Sequence, residues 1–397
     1  MSIGFFELLG KYKQYEGFVA TRAGPLSTAD AAFTQYMSRS AHIATDNLTS
    51  IKAVFTNFAP SPSTGDTGLG STATITASFE YPAGTFTQIK FGGVASASVA
   101  SGDLVFSDYA TLSTPIPAGA TFWVNEFFVN SGGVFYNTWS NVGLGEVFRS
   151  GTGSLTDLTM TGGFVSNSPG YSRCPLAIIG HTGAPSVVIV GDSIGFGTHD
   201  TGLTGTAFDW QVGSIARSMG SRPFVNLSIG SETANGWVGR SASKKQVIPY
   251  ASHLICALGT NDFFLNDSTV AILKSDLQTI YALARPGQKI YQTTITPNTL
   301  SANGWVSPDD QTQKDVGHSP RVETFNADLR SALFTNLTGM YDVASVLELT
   351  ADRVAGQFTP WIVGASPYAF DGLHPSPLGY AFIASSNIID PTTIVWP

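Results

Sequence analysis

Charge is scarce in this chain: Lys, Arg, Asp and Glu make up only 12% of its 397 residues, against ~25% in ordinary soluble domains. The surface is therefore polar mainly through Ser, Thr, Asn and the backbone. With a formal net charge of -8, the chain lacks the basic stripe that a phosphate backbone requires, so nucleic acid is not expected as a partner. Two cysteines, Cys174 and Cys256, are too few for a disulfide framework and leave the redox compartment open. Cys256 sits inside an apolar run and reads as a core filler. No run approaches the ~18 apolar residues of a membrane helix, and no basic-then-apolar leader is visible at the start. A membrane span is not expected. Location stays open, with an extracellular or particle-associated setting favoured by analogy of the overall arrangement.

What is present falls into two patterns. Between about Leu48 and Val142, apolar and polar residues alternate. Ala73, Ile75, Ala77 and Phe79 interleave with Thr72, Thr74, Thr76, Ser78 and Glu80, the period-two signature of a strand with one buried and one wet face. Similar runs at Ile51 to Phe58, Phe86 to Phe91 and Thr121 to Val129 are separated by Pro82, Gly84, Pro115, Pro117, Gly119, Gly132 and Gly133. Short strands punctuated in this way predict an all-β sandwich or jelly roll. Ser27 to Tyr36 is read as a short capped helix within an amino-terminal segment, and Gly151 to Gly183 as a connector or irregular end of the first domain.

From Ser186 onward, apolar strands alternate with helical stretches. Val187 to Val190, Phe224 to Leu227, His253 to Leu258, Ile290 to Thr294 and, more weakly, Gly339 to Val343 read as buried parallel strands; Ala207 to Met219, Val270 to Leu283 and Ser319 to Phe334 read as helices. This is the pattern of an α/β, doubly wound parallel sheet with helices on both faces, in which functional residues gather beyond the carboxyl ends of the strands. The expected organisation is thus residues 1–45 as a partly helical segment, 46–180 as the β-sandwich and connector, and 181–397 as a catalytic domain.

Three motifs sit at those strand ends. Gly191, Asp192 and Ser193 follow the first strand, Gly259, Thr260, Asn261 and Asp262 follow the third, and Asp371, Gly372, Leu373, His374 and Pro375 precede the last helical stretch. A serine hydroxyl needs an imidazole base to attack a carbonyl, and the base needs a group that fixes its tautomer. Ser193, His374 and Asp371 supply these roles, while the Asn261 amide can donate to a developing oxyanion. Each motif alone fits an ordinary turn in a chain with 42 glycines. Their order and their places at strand ends favour catalysis. Gly191 to Gly195 also satisfies the Gly-x-Ser-x-Gly elbow of α/β-hydrolases, but Asp371 and His374 share one loop and no His-Gly-Gly-Gly-type oxyanion loop occurs. A chymotrypsin-like order would place the histidine and aspartate upstream, where His42 and His181 lack a comparable setting.

These residues resemble the SGNH, or GDSL-type, hydrolase family, whose serine, glycine, asparagine and histidine occur in that chain order. Ser193, Asn261 and His374 match the first, third and fourth, with Asp371 three positions before the histidine. The second block resembles Asn226 to Thr233 but places Ser231 where the family has glycine, with Gly230 one residue early. The resemblance, which spans about residues 184–397, implies a flavodoxin-like doubly wound sheet and an oxyanion hole of the Ser193 and Ser231 amides and the Asn261 side chain, Gly230 being the alternative to Ser231. The amide of Ser231 is expected to serve if its φ is not positive.

The implied activity is that of a serine esterase. No metal or organic cofactor is expected. A sandwich ahead of the hydrolase and a low-charge Ser/Thr-rich surface favour acetyl or another short acyl group on a carbohydrate as substrate, with small esters as the general class. Lipase, arylesterase or acyltransferase chemistry uses the same residues, and a glycan-binding or particle-associated protein with a vestigial hydrolase domain is the competing class. Trp237, Phe263, Phe264, Trp305, Tyr368 and Phe370 are candidates for an acyl or sugar pocket, weighed against the core role commoner for aromatics. His199 and His318 are read as loop residues.

Overall fold

The computed structural model describes residues 15–137, 142–163, 172–201, 212–349, 359–364, 366–390 and 394. Two antiparallel sheets come first. One contains Tyr15–Phe18, Ala177–Thr182, Leu48–Thr56 and Leu104–Phe106 in that order, with Ala110–Ile116 also on Leu48–Thr56. The other contains Val147–Gly151, Gln35–Ile43, Thr121–Val129, Ala73–Glu80 and Phe86–Gln88, with Ser96–Val99 also on Ala73–Glu80. Ile51, Ala53, Phe55 and Ile178 from the first sheet share a core with Tyr36, Ile75, Phe79, Phe122, Val124 and Phe128 from the second. This is a β-sandwich.

Two local expectations are corrected. Ser27 to Tyr36, read as a helix, is instead the strand Thr28–Asp30, a turn, and the start of the strand Gln35–Ile43. The long strand is gripped on both edges, by Thr121–Val129 and Val147–Gly151. Pairing partners roughly a hundred residues away outweigh a local capping pattern, as tertiary context does over propensity. The amino-terminal segment 1–45 is accordingly not a separate helical piece over its described part: Tyr15–Phe18 and Gln35–Ile43 are sandwich strands. Ala177–Thr182, inside the presumed connector, is an inner strand paired to both Tyr15–Phe18 and Leu48–Thr56. Both cysteines are free and buried.

The second half is a five-stranded, all-parallel sheet in the order Phe224–Asn226, Val187–Gly191, His253–Ala257, Lys289–Thr293, Gly339–Tyr341. In chain order this is 2-1-3-4-5, the flavodoxin-like winding. Strand residues divide between faces with period two. Val188, Val190, Leu254 and Cys256 pack with Leu273, Leu277 and Ile280 of the helix Val270–Tyr281. Val187, Ile189 and Ile255 pack with Ile215, Met219 and Ile383, from the helices Ser214–Ser218 and Pro377–Ser385. Both faces are covered, which is why these strands are apolar throughout.

The halves share a core. Phe18, Val54, Leu104, Leu176, Ala177 and Ile179 from the back of the first sandwich sheet join the cluster of Val188 and Leu254. The middle of that sheet is therefore buried on both faces, and the run Ile51 to Thr56 is buried at every position. Alternation survives on strands such as Ala110–Ile116, whose other face meets water.

Arg173 ties the sandwich together. Its Nε donates to Glu126 Oε1 at 2.7 Å, its Nη1 to the Phe135 carbonyl at 2.9 Å and its Nη2 to the Thr56 carbonyl at 2.6 Å. Both charged side chains are about 1% exposed. Removing one member of a buried pair strands the other charge, so Arg173→Met is expected to cost about 3–5 kcal/mol in urea unfolding. A loss under about 1 kcal/mol would place the pair among the dispensable surface contacts.

Candidate active site

The strand Val187–Gly191 runs directly into a single helical turn, Ser193–Phe196. Asp192 caps the turn: its Oδ1 accepts from the Ile194 amide at 2.8 Å. Ser193 is thereby held at the carboxyl edge of the sheet, beside the point where strand order reverses. Burial pushes the Asp192 carboxyl up to about 7, with the Asp262 charge adding to the rise against backbone hydrogen bonds that lower it. Its Oδ2 is buried with no hydrogen-bond partner among the described residues.

His374 arrives from the far end of the chain. Its Nε2 lies 2.8 Å from Ser193 Oγ and its Nδ1 lies 2.8 Å from Asp371 Oδ2. The loop is built to hold this geometry. Asp371 Oδ1 accepts from the amides of Leu373 and His374 at 3.0 and 2.8 Å. Gly372 has φ +82°, and a Cβ there would stand 2.0 Å from the Thr299 carbonyl oxygen, so only glycine fits. Partial burial works to raise the Asp371 carboxyl, but bonds from the His374 amide and ring and from the Leu373 amide outweigh it and hold the group below its ordinary range. An ionised carboxylate only accepts, so Nδ1 carries the proton, Nε2 offers its lone pair, and Ser193 Oγ–H donates to it.

Asn261 lies in the turn Thr260–Phe264 after the strand His253–Ala257. Gly259, which starts that turn, has φ +136° and leaves no room for a Cβ, which would meet Ile295 Cδ1 at 2.7 Å. Asn261 Nδ2 donates to the Glu232 carbonyl at 3.0 Å. An amide nitrogen has two hydrogens, so one stays available.

Ser231 departs from the expectation. Its φ is +61°, in the left-handed region that the sequence reading required it to avoid. It is the third residue of a turn closed by the Glu232 amide on the Ile229 carbonyl at 3.4 Å, the position where type II turns take glycine or asparagine. The serine thus adopts the glycine-like conformation at a cost of about 1–2 kcal/mol. Gly230 is not in that region. Among the described residues, the amides of Ser193 and Ser231 donate no hydrogen bond.

Sequence reasoning missed the supports of this loop. Glu232 and Lys244 are buried with Nζ 3.7 Å from Oε2, and Lys244 Nζ lies 4.3 Å from the Trp237 ring centroid. Burial lowers the Lys244 ammonium to about 8 despite the opposing charges of Asp66 and Glu232. Asp66, from a sandwich hairpin, accepts from the Ser243 and Lys244 amides at 2.7 and 3.0 Å. A lysine and a glutamate in polar loops carry no sequence signal of burial. Of the aromatics considered, Trp237 and Phe263 are core, Tyr368 stacks on Phe382, and Phe370 is exposed beside His199.

A parallel sheet with polar groups gathered at its carboxyl ends serves many activities; the family match narrows it here to a carboxylic ester hydrolase. Residues 189–382 match the GDSL-like Lipase/Acylhydrolase family, and this region of the chain is a GDSL-like acylhydrolase domain. Among solved structures, a member of the lipolytic protein G-D-S-L family from Veillonella parvula aligns at 19% identity over 53% of this chain and 99% of its own, with TM-score 0.36. A carbohydrate acetylesterase family member from Sinorhizobium meliloti aligns at 14% identity over 53% and 99%, with TM-score 0.35. No curated protein matches the chain.

Asp192 gives a stability test. Its folded pKa, about 7, is raised from 3.8. The folded state therefore holds a proton that the unfolded chain releases first, and stability falls as pH rises from about 4 to about 7, then levels off. Asp192→Asn is expected to flatten that decline by up to one proton's slope, measured as urea midpoints across pH. Parallel profiles for the two proteins would mean that Asp192 is ionised throughout.

Proposed function

We propose that the chain is a serine esterase acting through Ser193, His374 and Asp371, and that it removes acetyl or another short acyl group from a carbohydrate. The observation that carries the reading is the unbroken hydrogen-bonded chain from Ser193 Oγ through both nitrogens of His374 to Asp371, each link 2.8 Å.

In the proposed cycle, Ser193 Oγ bonds to the ester carbonyl carbon as its proton passes to His374 Nε2. Asp371 stabilises the imidazolium and fixes the ring. The carbonyl oxygen, now negative, meets the amides of Ser193 and Ser231 and the second hydrogen of Asn261 Nδ2. His374 returns its proton to the leaving alcohol as the ester C–O bond breaks. Water, deprotonated by the same imidazole, then releases the acid and restores Ser193. The positive φ of Ser231 runs against the condition set from the sequence; what supports its amide in this role is that it donates no hydrogen bond among the described residues. The low-charge surface and the sandwich packed against the hydrolase sheet support a neutral glycan as substrate.

One observation favours a second reading, a longer acyl chain. A cleft of about 280 Å³ between the halves, lined by Leu26, Pro60, Phe196, Phe224, Ile229 and Gly230 among others, is mainly apolar and borders the Ser231 turn.

Ser193→Ala is expected to abolish hydrolysis of nitrophenyl acetate and labelling by a fluorophosphonate while leaving the fold intact; near-full turnover would reject the assignment. Asn261→Ala is expected to lower kcat by ~10²–10³, and a loss confined to KM would remove it from the oxyanion hole. A chain-length series of nitrophenyl esters, with acetate release from acetylated polysaccharides, decides between the substrates. Preference for long chains and no acetate release would assign the cleft, not a sugar, as the determinant.

A further inference from the structure

A second imidazole stands beside the first. His199, six residues after Ser193, has φ +69°, a left-handed conformation unusual for a residue with a Cβ. Its ring stacks on Phe370 with centroids 3.8 Å apart and an interplanar angle of 14°. It meets the His374 ring edge-on, centroids 5.3 Å apart at 78°. One ligand atom from each of His199, Asp371 and His374 lies within 4.8 Å of the other two. His199 is exposed and the other two are half-buried, so the group opens to solvent on the His199 side.

We propose that His199, Asp371 and His374 form a binding site for a divalent transition-metal ion of the Zn2+ type, and that its occupation turns the esterase off. Two imidazoles and one carboxylate, with a fourth position left to water, are a donor set that zinc accepts in tetrahedral geometry. Asp371 and His374 already stand 2.8 Å apart. Bonds of about 2.0–2.1 Å to zinc require donor atoms ~3.4 Å apart, so His199 closes the site by a swing of roughly 1–2 Å, which its exposed side chain can make. The strained backbone and the Phe370 stack keep its ring at this mouth instead of in bulk water.

Inhibition follows whichever imidazole nitrogen of His374 takes the ion. At Nδ1 the metal replaces the proton shared with Asp371, which leaves to solvent, and the orienting bond is lost. At Nε2 it occupies the lone pair that would take the Ser193 proton. Neither case involves redox chemistry. Release of the ion restores the base.

This inference rests on the Ser193–His374–Asp371 reading, and its test separates the two. Zn2+ is titrated into the wild-type protein and into His199→Asn, a residue that tolerates left-handed φ, following nitrophenyl acetate hydrolysis, while Co2+ absorption in the visible region reports four-coordinate binding directly. Zn2+ is expected to inhibit the wild type reversibly on adding EDTA. His199→Asn is expected to raise the half-inhibiting concentration about 10–100-fold, as loss of groups at metal sites does, and to lose the Co2+ signal. Equal Zn2+ sensitivity of the two proteins, stimulation by metal, or no Co2+ binding to the wild type would overturn the site. Fluorophosphonate labelling of metal-free wild type at Ser193 reports on the catalytic reading alone, so its failure leaves the Co2+ result to stand or fall separately. Unchanged thermal unfolding of metal-free His199→Asn verifies that the variant folds.

Discussion

A hydroxyl and an imidazole separated by 181 positions in the chain lie 2.8 Å apart, and the rest of the molecule is organised around keeping them there. Such an approach cannot be maintained by the two side chains. It depends on two rigid supports, the Val187–Gly191 strand that ends at the serine turn and the Asp371 loop that is locked by Gly372 against Thr299. The first is held by its sheet neighbours on both sides and by cores on both faces. The second is braced by the Trp361 indole, which donates to the Gly372 carbonyl at 3.0 Å.

The sandwich enters the same system of constraints. Its hairpin carries Asp66 to the amides of Ser243 and Lys244. Lys244 neighbours Glu232, and the Glu232 carbonyl holds Asn261. A physical path therefore links the first half of the chain to the Asn261 amide. With a common core behind it, the sandwich is part of the scaffold of the hydrolase as well as a candidate substrate-binding surface. Although charge is scarce, some of it lies inside: Arg173 is hydrogen-bonded to Glu126, and Lys244 neighbours Glu232 at 3.7 Å.

Legibility in the sequence followed the range of the interactions involved. The parallel strands were readable because burial on both faces demands continuous apolar runs, and the strand Ala73–Glu80 because buried and wetter positions alternate over its first half. The hydrogen-bonded grouping of Ser193, His374 and Asp371 was anticipated because their motifs couple a turn signal to a reactive side chain. Ser27 to Tyr36 was misread, since its strands are specified by distant partners, Val134–Tyr136 for Thr28–Asp30 and both Thr121–Val129 and Val147–Gly151 for the strand that begins at Gln35. The Ser231 conformation was likewise invisible: the sequence suggested that a serine would avoid positive φ, whereas the turn imposes it.

By itself the sequence determined the alternation of strands and helices, the two-part composition and the candidate reactive groups, all of which depend on residue type and on spacing within a few turns. Only the tertiary structure decided that Lys244 and Arg173 are interior cations, and that His199 shares a small volume with Asp371 and His374. Proximity between distant segments is set by the simultaneous burial of apolar surface on both faces of two sheets. That is a property of the whole packing, and no local stretch of chain encodes it.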